Sequence, residues 1–140
     1  MMDFSPNIWA VVAAAVSNMI LGFLWYGTLF RKPWSQEMGM DKLTPQQQEQ
    51  MKKGMGLSYL LAFIGALLTA YVFAHVLNAF ESNSINMAVQ GAFWTWLGFI
   101  VPVKYGDKLW GGKSHKLFVI EAGYFLVSLI LMGIILQQWM

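Results

Sequence analysis

The sequence predicts an all-α integral membrane protein, a four-helix bundle with one short interfacial helix in its first long loop. Of the 140 residues, 57% are hydrophobic and only 11% are charged, whereas an average soluble domain is about 25% charged. The charged residues are clustered, and they leave four long apolar runs between them. A helix needs about 20 apolar residues to cross a hydrocarbon core. The runs are continuous rather than alternating, which disfavours β-strands.

The four apolar runs predict the membrane spans of a single domain that covers residues 1–140. These spans lie near 7–30, 55–80, 85–103 and 117–139. The first is interpreted as a retained helix rather than a cleaved signal peptide, because its basic flank, Arg31 and Lys32, follows the apolar run instead of preceding it. The third run is the shortest of the four.

The first long loop contains signals for short helices. Pro33 starts a segment typical of one helical turn, which Gly39 ends. Thr44 and Gln47 match a capping box with proline at the first helical position. Apolar side chains stand beside basic residues in this loop, which favours a segment that lies along the bilayer surface; they are Met38, Met40, Leu43, Met51 and Met55. A solvated connector is the alternative.

The basic residues predict how the chain is oriented. All nine lie in the loop between the first and second spans or in the loop between the third and fourth. They are Arg31, Lys32, Lys42, Lys52 and Lys53, then Lys104, Lys108, Lys113 and Lys116. Four antiparallel spans place these two loops on the same side. Because basic loops stay in the cytoplasm, both long loops are predicted to be cytoplasmic, and both termini to lie outside the inner (plasma) membrane.

Small residues recur at every fourth position in the first two spans. They are Ala10, Ala14, Asn18 and Gly22, and then Ser58, Ala62, Ala66, Ala70, Ala74 and Asn78. Such ridges let helix backbones approach closely in lipid. They can pack within one chain or between copies, and two long ridges favour a homo-oligomer.

Polar and large aromatic side chains inside the spans are the candidate functional residues, since polar groups are costly in a membrane interior. The candidates are Asn18, Tyr26, His75, Gln90, Trp94, Glu121, Tyr124 and Ser128. Two alternatives exist for Glu121. It is a helix-start carboxylate paired with Lys104 or Lys116, or it is a titratable group that faces an internal cavity.

His75 is predicted near the outer end of the second span. A hydrogen bond to Gln90 or Asn78 is one interpretation, and a proton-handling or ligand-contacting role is the other. A catalytic dyad with Glu121 is excluded within one chain, because about 15 Å of membrane depth separates the two residues. A general base must come within about 3 Å of its partner.

Several chemistries lack the residues that they need. The chain has no cysteine, which excludes a thiolate nucleophile, a zinc knuckle and an iron–sulfur site. His75 and His115 are too far apart for a metal site, and a net charge of +2 is too small for nucleic-acid binding. Gly112-Lys113-Ser114 resembles the end of a phosphate-binding loop, but Asp107 occupies the position of the first glycine. No catalytic residue, metal or cofactor is therefore predicted.

Three motifs resemble a family of small bacterial membrane proteins catalogued as domain of unknown function 1761. The first comprises Gly22, Leu24, Trp25, Tyr26, Phe30 and Trp34; the others are Trp96-Leu97-Gly98-Phe99 and Ala122-Gly123-Tyr124-Phe125-Leu126-Val127. The resemblance extends over nearly the full length. It implies a four-span membrane protein and brings no established activity or catalytic residues.

Three functional hypotheses follow. The first is a self-associating, non-enzymatic membrane protein with a transport, small-ligand or lipid-binding role, in which the candidate residues line a cavity or an inter-subunit path. The second is a structural or accessory subunit that binds lipid or another membrane protein. The third is a membrane enzyme acting on a lipid or isoprenoid, which the lack of a His, Asp and Glu cluster disfavours. The expected partners are the lipid bilayer, a second copy and a lipid or small-molecule ligand, with no nucleic acid.

Overall fold

A computed structural model describes residues 4–139, and every regular element in this range is helical. The elements are α1 (Ile8–Leu24) with a π-helical turn (Trp25–Leu29), α2 (Arg31–Glu37), a 3₁₀ turn (Met40–Lys42), α3 (Pro45–Lys53), α4 (Met55–Ala79), α5 (Ile85–Thr95) with a second π-helical turn (Trp96–Ile100), α6 (Val101–Gly111) and α7 (His115–Gln138). The predicted all-α class is confirmed. Residues 1–3 and 140 of the predicted domain lie outside the described range.

Three helices of the described chain are long and apolar enough to cross a membrane. They are Ile8–Leu29, Met55–Ala79 and His115–Gln138, and they match the first, second and fourth predicted spans. The predicted span near 85–103 is divided between α5, a π turn and α6. Pro102 explains the division, because its ring removes the N–H that a regular helix would use, and Val101 bonds instead to the carbonyl of Trp96. The fourth span and the four-helix bundle stay predictions.

Local signals set the ends of the helices. The side chain of Asn7 accepts backbone N–H bonds at the start of α1, and Ser114 does the same at α7. Thr44 and Gln47 form the predicted capping box of α3. Gly39 follows α2 with a φ of +73°, a conformation that glycine adopts without steric cost. The short helices predicted in the first loop are therefore confirmed.

Helix α7 lies at the centre of the packing. It contacts α1, α4, α5 and α6, and its buried residues extend from Leu117 to Leu136. Helix α1 packs against α4 as well as against α7. Many side chains of α7 are therefore covered by neighbouring helices, whereas α4 leaves much of its surface open.

The small-residue ridges of α1 and α4 are used within the chain. Ala10 and Ala14 of α1 belong to the same buried cluster as Ala66, Ala70 and Ala74 of α4. Close backbone approach gains van der Waals contact where lipid offers no hydrophobic drive. The contact does not continue along the whole ridge, because residues 55–62 of α4 are all exposed. The two helices pack at the Ala66–Ala74 end and separate at the other.

Candidate functional site

The separation of α1 and α4 leaves a crevice beside the first long loop. The part between the two helices, which we call the apolar compartment, has a volume of about 410 Å³. Its wall consists mainly of methionine and aromatic side chains, among them Met19, Phe23, Met51, Met55 and Tyr59. The Phe23 and Tyr59 rings meet edge to face, with centroids 5.3 Å apart. This volume lies within the range of about 300–1,000 Å³ that is typical of ligand pockets.

A second cavity of about 850 Å³ adjoins the first and lies against the loop itself. Six residues line both cavities: Tyr26, Gly27, Trp34, Met40, Met51 and Met55. The rest of its wall includes basic and amide side chains, namely Arg31, Lys32, Gln36, Gln48 and Lys52, together with the acid Asp41. We call this cavity the polar compartment. The crevice as a whole is amphiphilic.

Tyr26 and Trp34 lie where the two compartments meet. Their rings are 5.2 Å apart, and the Tyr26 ring is 5.1 Å from that of Tyr124 on α7. The π turn at the end of α1 contributes to this position, since the N–H of Phe30 bonds to the carbonyl of Trp25 at 2.8 Å and widens the last turn. Tyr26, which belongs to this wider turn, therefore forms part of the boundary between the compartments.

Asn18, Tyr124 and Ser128 form a hydrogen-bond cluster between α1 and α7. The Tyr124 hydroxyl donates to Asn18, with the side-chain Oδ1 at 2.8 Å and the backbone carbonyl oxygen at 3.0 Å. The Ser128 hydroxyl donates to the same Oδ1. Tyr124 and Ser128 are buried, so each hydroxyl has the partner that a buried polar group requires. Tyr124 also lines the apolar compartment and thereby connects the cluster to the crevice.

Glu121 is the acid of a separate ion-pair cluster at the start of α7. Its Oε2 lies 2.8 Å from the Lys104 ammonium, and its Oε1 lies 3.6 Å from that of Lys113. Asp107 is 3.7 Å from Lys104. The predicted pairing with Lys104 is confirmed, but the second lysine is Lys113 rather than Lys116. Glu121 lines neither compartment. A buried carboxylate needs such partners, and the cluster joins α6 and the α6–α7 loop to α7.

Two tryptophans attach the π turns to α7 on either side of Glu121. The indole N–H of Trp25 donates to the carbonyl of Ile120 at 3.0 Å, and that of Trp96 donates to the carbonyl of Ala122 at 2.7 Å. These two roles were not predicted from the sequence. A repeated Trp-x-Gly-x-Leu/Ile pattern at 25–29 and 96–100 coincides with both π turns.

The remaining three candidates lie away from the crevice. The His75 ring packs edge to face on Tyr71, with centroids 4.9 Å apart. Gln90 donates to Asn86 of its own helix, and Trp94 is 64% exposed. Within residues 4–139, His75 makes no hydrogen bond to Gln90 or Asn78, and no group of His, Asp or Glu side chains could hold a metal ion.

Several residues of the crevice were not among the predicted site residues. They are chiefly Trp34 of α2 and Gln48, Met51 and Lys52 of α3. The signal for them was the mixture of methionine and basic residues in the first loop. That mixture predicted a segment at the bilayer surface, but it did not show that the segment covers a cavity between α1 and α4.

Comparison with known proteins gives a family match. The profile of the family described as "Protein of unknown function (DUF1761)" matches residues 9–137. The match includes both compartments of the crevice and both side-chain clusters. No curated protein and no solved structure matches the chain.

Proposed function

The chain belongs to the DUF1761 family, and from the geometry of the crevice we propose that it is a membrane protein that binds a small amphiphilic molecule. The observation that carries this proposal is the junction of an apolar and a polar compartment at Tyr26 and Trp34. A ligand with an apolar tail and a polar head matches both parts at once. Binding of this kind requires no catalytic group.

We also propose that the chain crosses the inner membrane four times, with both long loops in the cytoplasm and both termini outside. The support is the presence of three helices of spanning length and the restriction of all nine basic residues to two loops. In this arrangement α5 and its π turn supply the remaining crossing. The crevice then opens at the cytoplasmic surface of the bilayer, at the depth of the lipid headgroups.

The geometry favours binding over transport. Tyr124 lines the apolar compartment, but Asn18 and Ser128 line neither compartment and are joined by a hydrogen bond. A polar path across the membrane would have to break this cluster. Self-association, which the ridges led us to expect, would have to use surfaces other than Ala66, Ala70 and Ala74, since these three residues are buried within the chain.

The test is photocrosslinking of the purified chain in nanodiscs with a lipid that carries a diazirine in its acyl chain. We expect labelling of Met19, Met55 or Tyr59. Ala62→Trp places a large side chain in the wall of the apolar compartment and should reduce this labelling several-fold. Leu61→Trp is the matched control, because Leu61 is 58% exposed and lines neither compartment. Equal labelling in the two variants would contradict the proposal.

A further inference from the structure

We infer that the amphiphile is an anionic lipid, whose phosphate headgroup binds Arg31, Lys32 and Lys52 and whose acyl chain enters the apolar compartment. The inference rests on the proposed function, because it names the chemical class of ligand for the same crevice. Three observations support it: the charge of the polar compartment, the groups beside that charge, and the position of the apolar compartment directly next to it.

The polar compartment carries an excess of positive charge. Arg31, Lys32 and Lys52 line it, against the single negative charge of Asp41 in the described wall. All three basic side chains are exposed, and within residues 4–139 the ion pairs involve other residues. An anion in this compartment therefore meets three cations that form no ion pair with a carboxylate of the described chain.

The groups beside these cations suit a phosphate ester. The Arg31 guanidinium can bind two phosphate oxygens with parallel N–H bonds, whereas Lys32 and Lys52 act as point charges. Gln36 and Gln48 add amide donors to the same wall, and the glycerol and ester oxygens of a lipid accept such bonds. The same wall therefore offers cations for the phosphate and amide donors for the oxygens next to it.

The adjoining apolar compartment distinguishes a lipid from free phosphate. Met51 and Met55 line both compartments, and Met19 lies further in between the helices. Methionine side chains are flexible and polarisable and adapt to irregular apolar partners. An acyl chain can therefore continue from the headgroup site into the space between α1 and α4 without crossing a polar barrier.

The test is a competition between lipids, measured by native mass spectrometry of the full chain in mild detergent. Phosphatidylglycerol and phosphatidylcholine with the same acyl chains are supplied in equal amounts. We expect the wild-type chain to retain phosphatidylglycerol at least about tenfold more, since each basic residue near a lipid surface contributes about fivefold. The triple variant Arg31→Gln, Lys32→Gln, Lys52→Gln should lose this preference.

The matched control is Lys42→Gln, Lys53→Gln, Lys116→Gln, which removes the same charge from residues that line neither compartment. It should keep the preference, and thermal unfolding in detergent verifies that both variants fold. Equal loss in both triple variants would overturn the inference in favour of a general charge effect. Displacement of the lipid by free glycerol phosphate would overturn it as well.

The outcomes separate this inference from the proposed function. If both lipids are retained equally and Ala62→Trp releases both, the anionic class is wrong while the amphiphile site remains. If no lipid is retained, and labelling of the apolar compartment is also absent, the proposed function itself is wrong.

Discussion

At the scale of single residues, Tyr124 joins the crevice to the interior of the protein. Its hydroxyl bonds to Asn18, and its ring lies against Tyr26 at the boundary of the compartments. Gly22 makes room for it, because a Cβ at that position would lie 3.3 Å from the Tyr124 hydroxyl oxygen. This contact is tight for a Cβ, so a larger residue at position 22 would displace the tyrosine. The glycine in the first family motif thus has a packing reason.

Asn18 is the shared acceptor of this cluster, and its loss should destabilise the chain. Asn18→Leu removes the side-chain oxygen that accepts from Ser128 and Tyr124, so the buried Ser128 hydroxyl loses this acceptor and Tyr124 keeps only the backbone carbonyl of residue 18. We expect this to lower the free energy of unfolding by about 1–3 kcal/mol. Thermal unfolding in detergent measures the effect. The control is Ser17→Ala, which removes only a bond to Ala14 within the same helix. An unchanged midpoint for Asn18→Leu would contradict the assigned role.

Sequence reasoning at this scale succeeded where helix geometry decides the contact. Glu121 was predicted to pair with Lys104 or Lys116, and it pairs with Lys104. The second partner depends on the path of the α6–α7 loop, where Gly112 has a φ of +72°. Lys116 belongs to α7 itself, whereas Lys113 lies in the turn and reaches Glu121 from there. The sequence alone does not specify that path, so Lys113 was missed.

At the scale of helices, α5 and α7 approach closely at Gly133. A Cβ there would lie 3.2 Å from the carbonyl oxygen of Ala88 and 3.3 Å from the Phe73 ring. The first neighbour is backbone and cannot turn away as a flexible side chain can. The contact therefore leaves little room for a side chain at position 133.

Gly133→Leu should for this reason destabilise the chain. Overpacking of a close contact costs about 1–3 kcal/mol, which we expect to appear as a lower midpoint of thermal unfolding in detergent. Gly65→Leu is the matched control, since a Cβ at Gly65 meets nothing within 4 Å, and it should be neutral or slightly stabilising. Equal effects of the two substitutions would mean that the close contact of α5 and α7 is not formed.

The helix ends and the π turns differed in how well the sequence predicted them. Thr44, Ser114 and Gly39 carry side-chain or backbone chemistry that occurs at helix termini, so the ends they define were predictable. The π turns lie inside uninterrupted apolar runs, where hydropathy does not distinguish an i−5 from an i−4 hydrogen bond. The division of the helix between Ile85 and Gly111 was not predicted for the same reason, because the second π turn lies within such a run.

At the scale of the whole molecule, the crevice arises because a continuous ridge is only partly used. The spacing of small residues from Ser58 to Asn78 predicted a ridge that packs within one chain or between copies, and its burial within the chain begins at Ala66. Spacing identifies a face of a helix and does not state where two helices diverge. The membrane character of the chain was predictable from composition, whereas the crevice depends on which parts of α1 and α4 are in contact and on the position of the loop beside them.

The orientation of the chain can be tested directly, because the sequence contains no cysteine. In intact cells, a membrane-impermeant maleimide should label Ser5→Cys and Asn83→Cys, which lie at exposed positions in the predicted outer segments. Lys42→Cys and Lys116→Cys should react only after permeabilisation, since both belong to basic loops. Labelling of Lys42→Cys and Lys116→Cys from opposite sides would mean three crossings. The crevice would then keep its lining, because α5 and α6 contribute no residue to it.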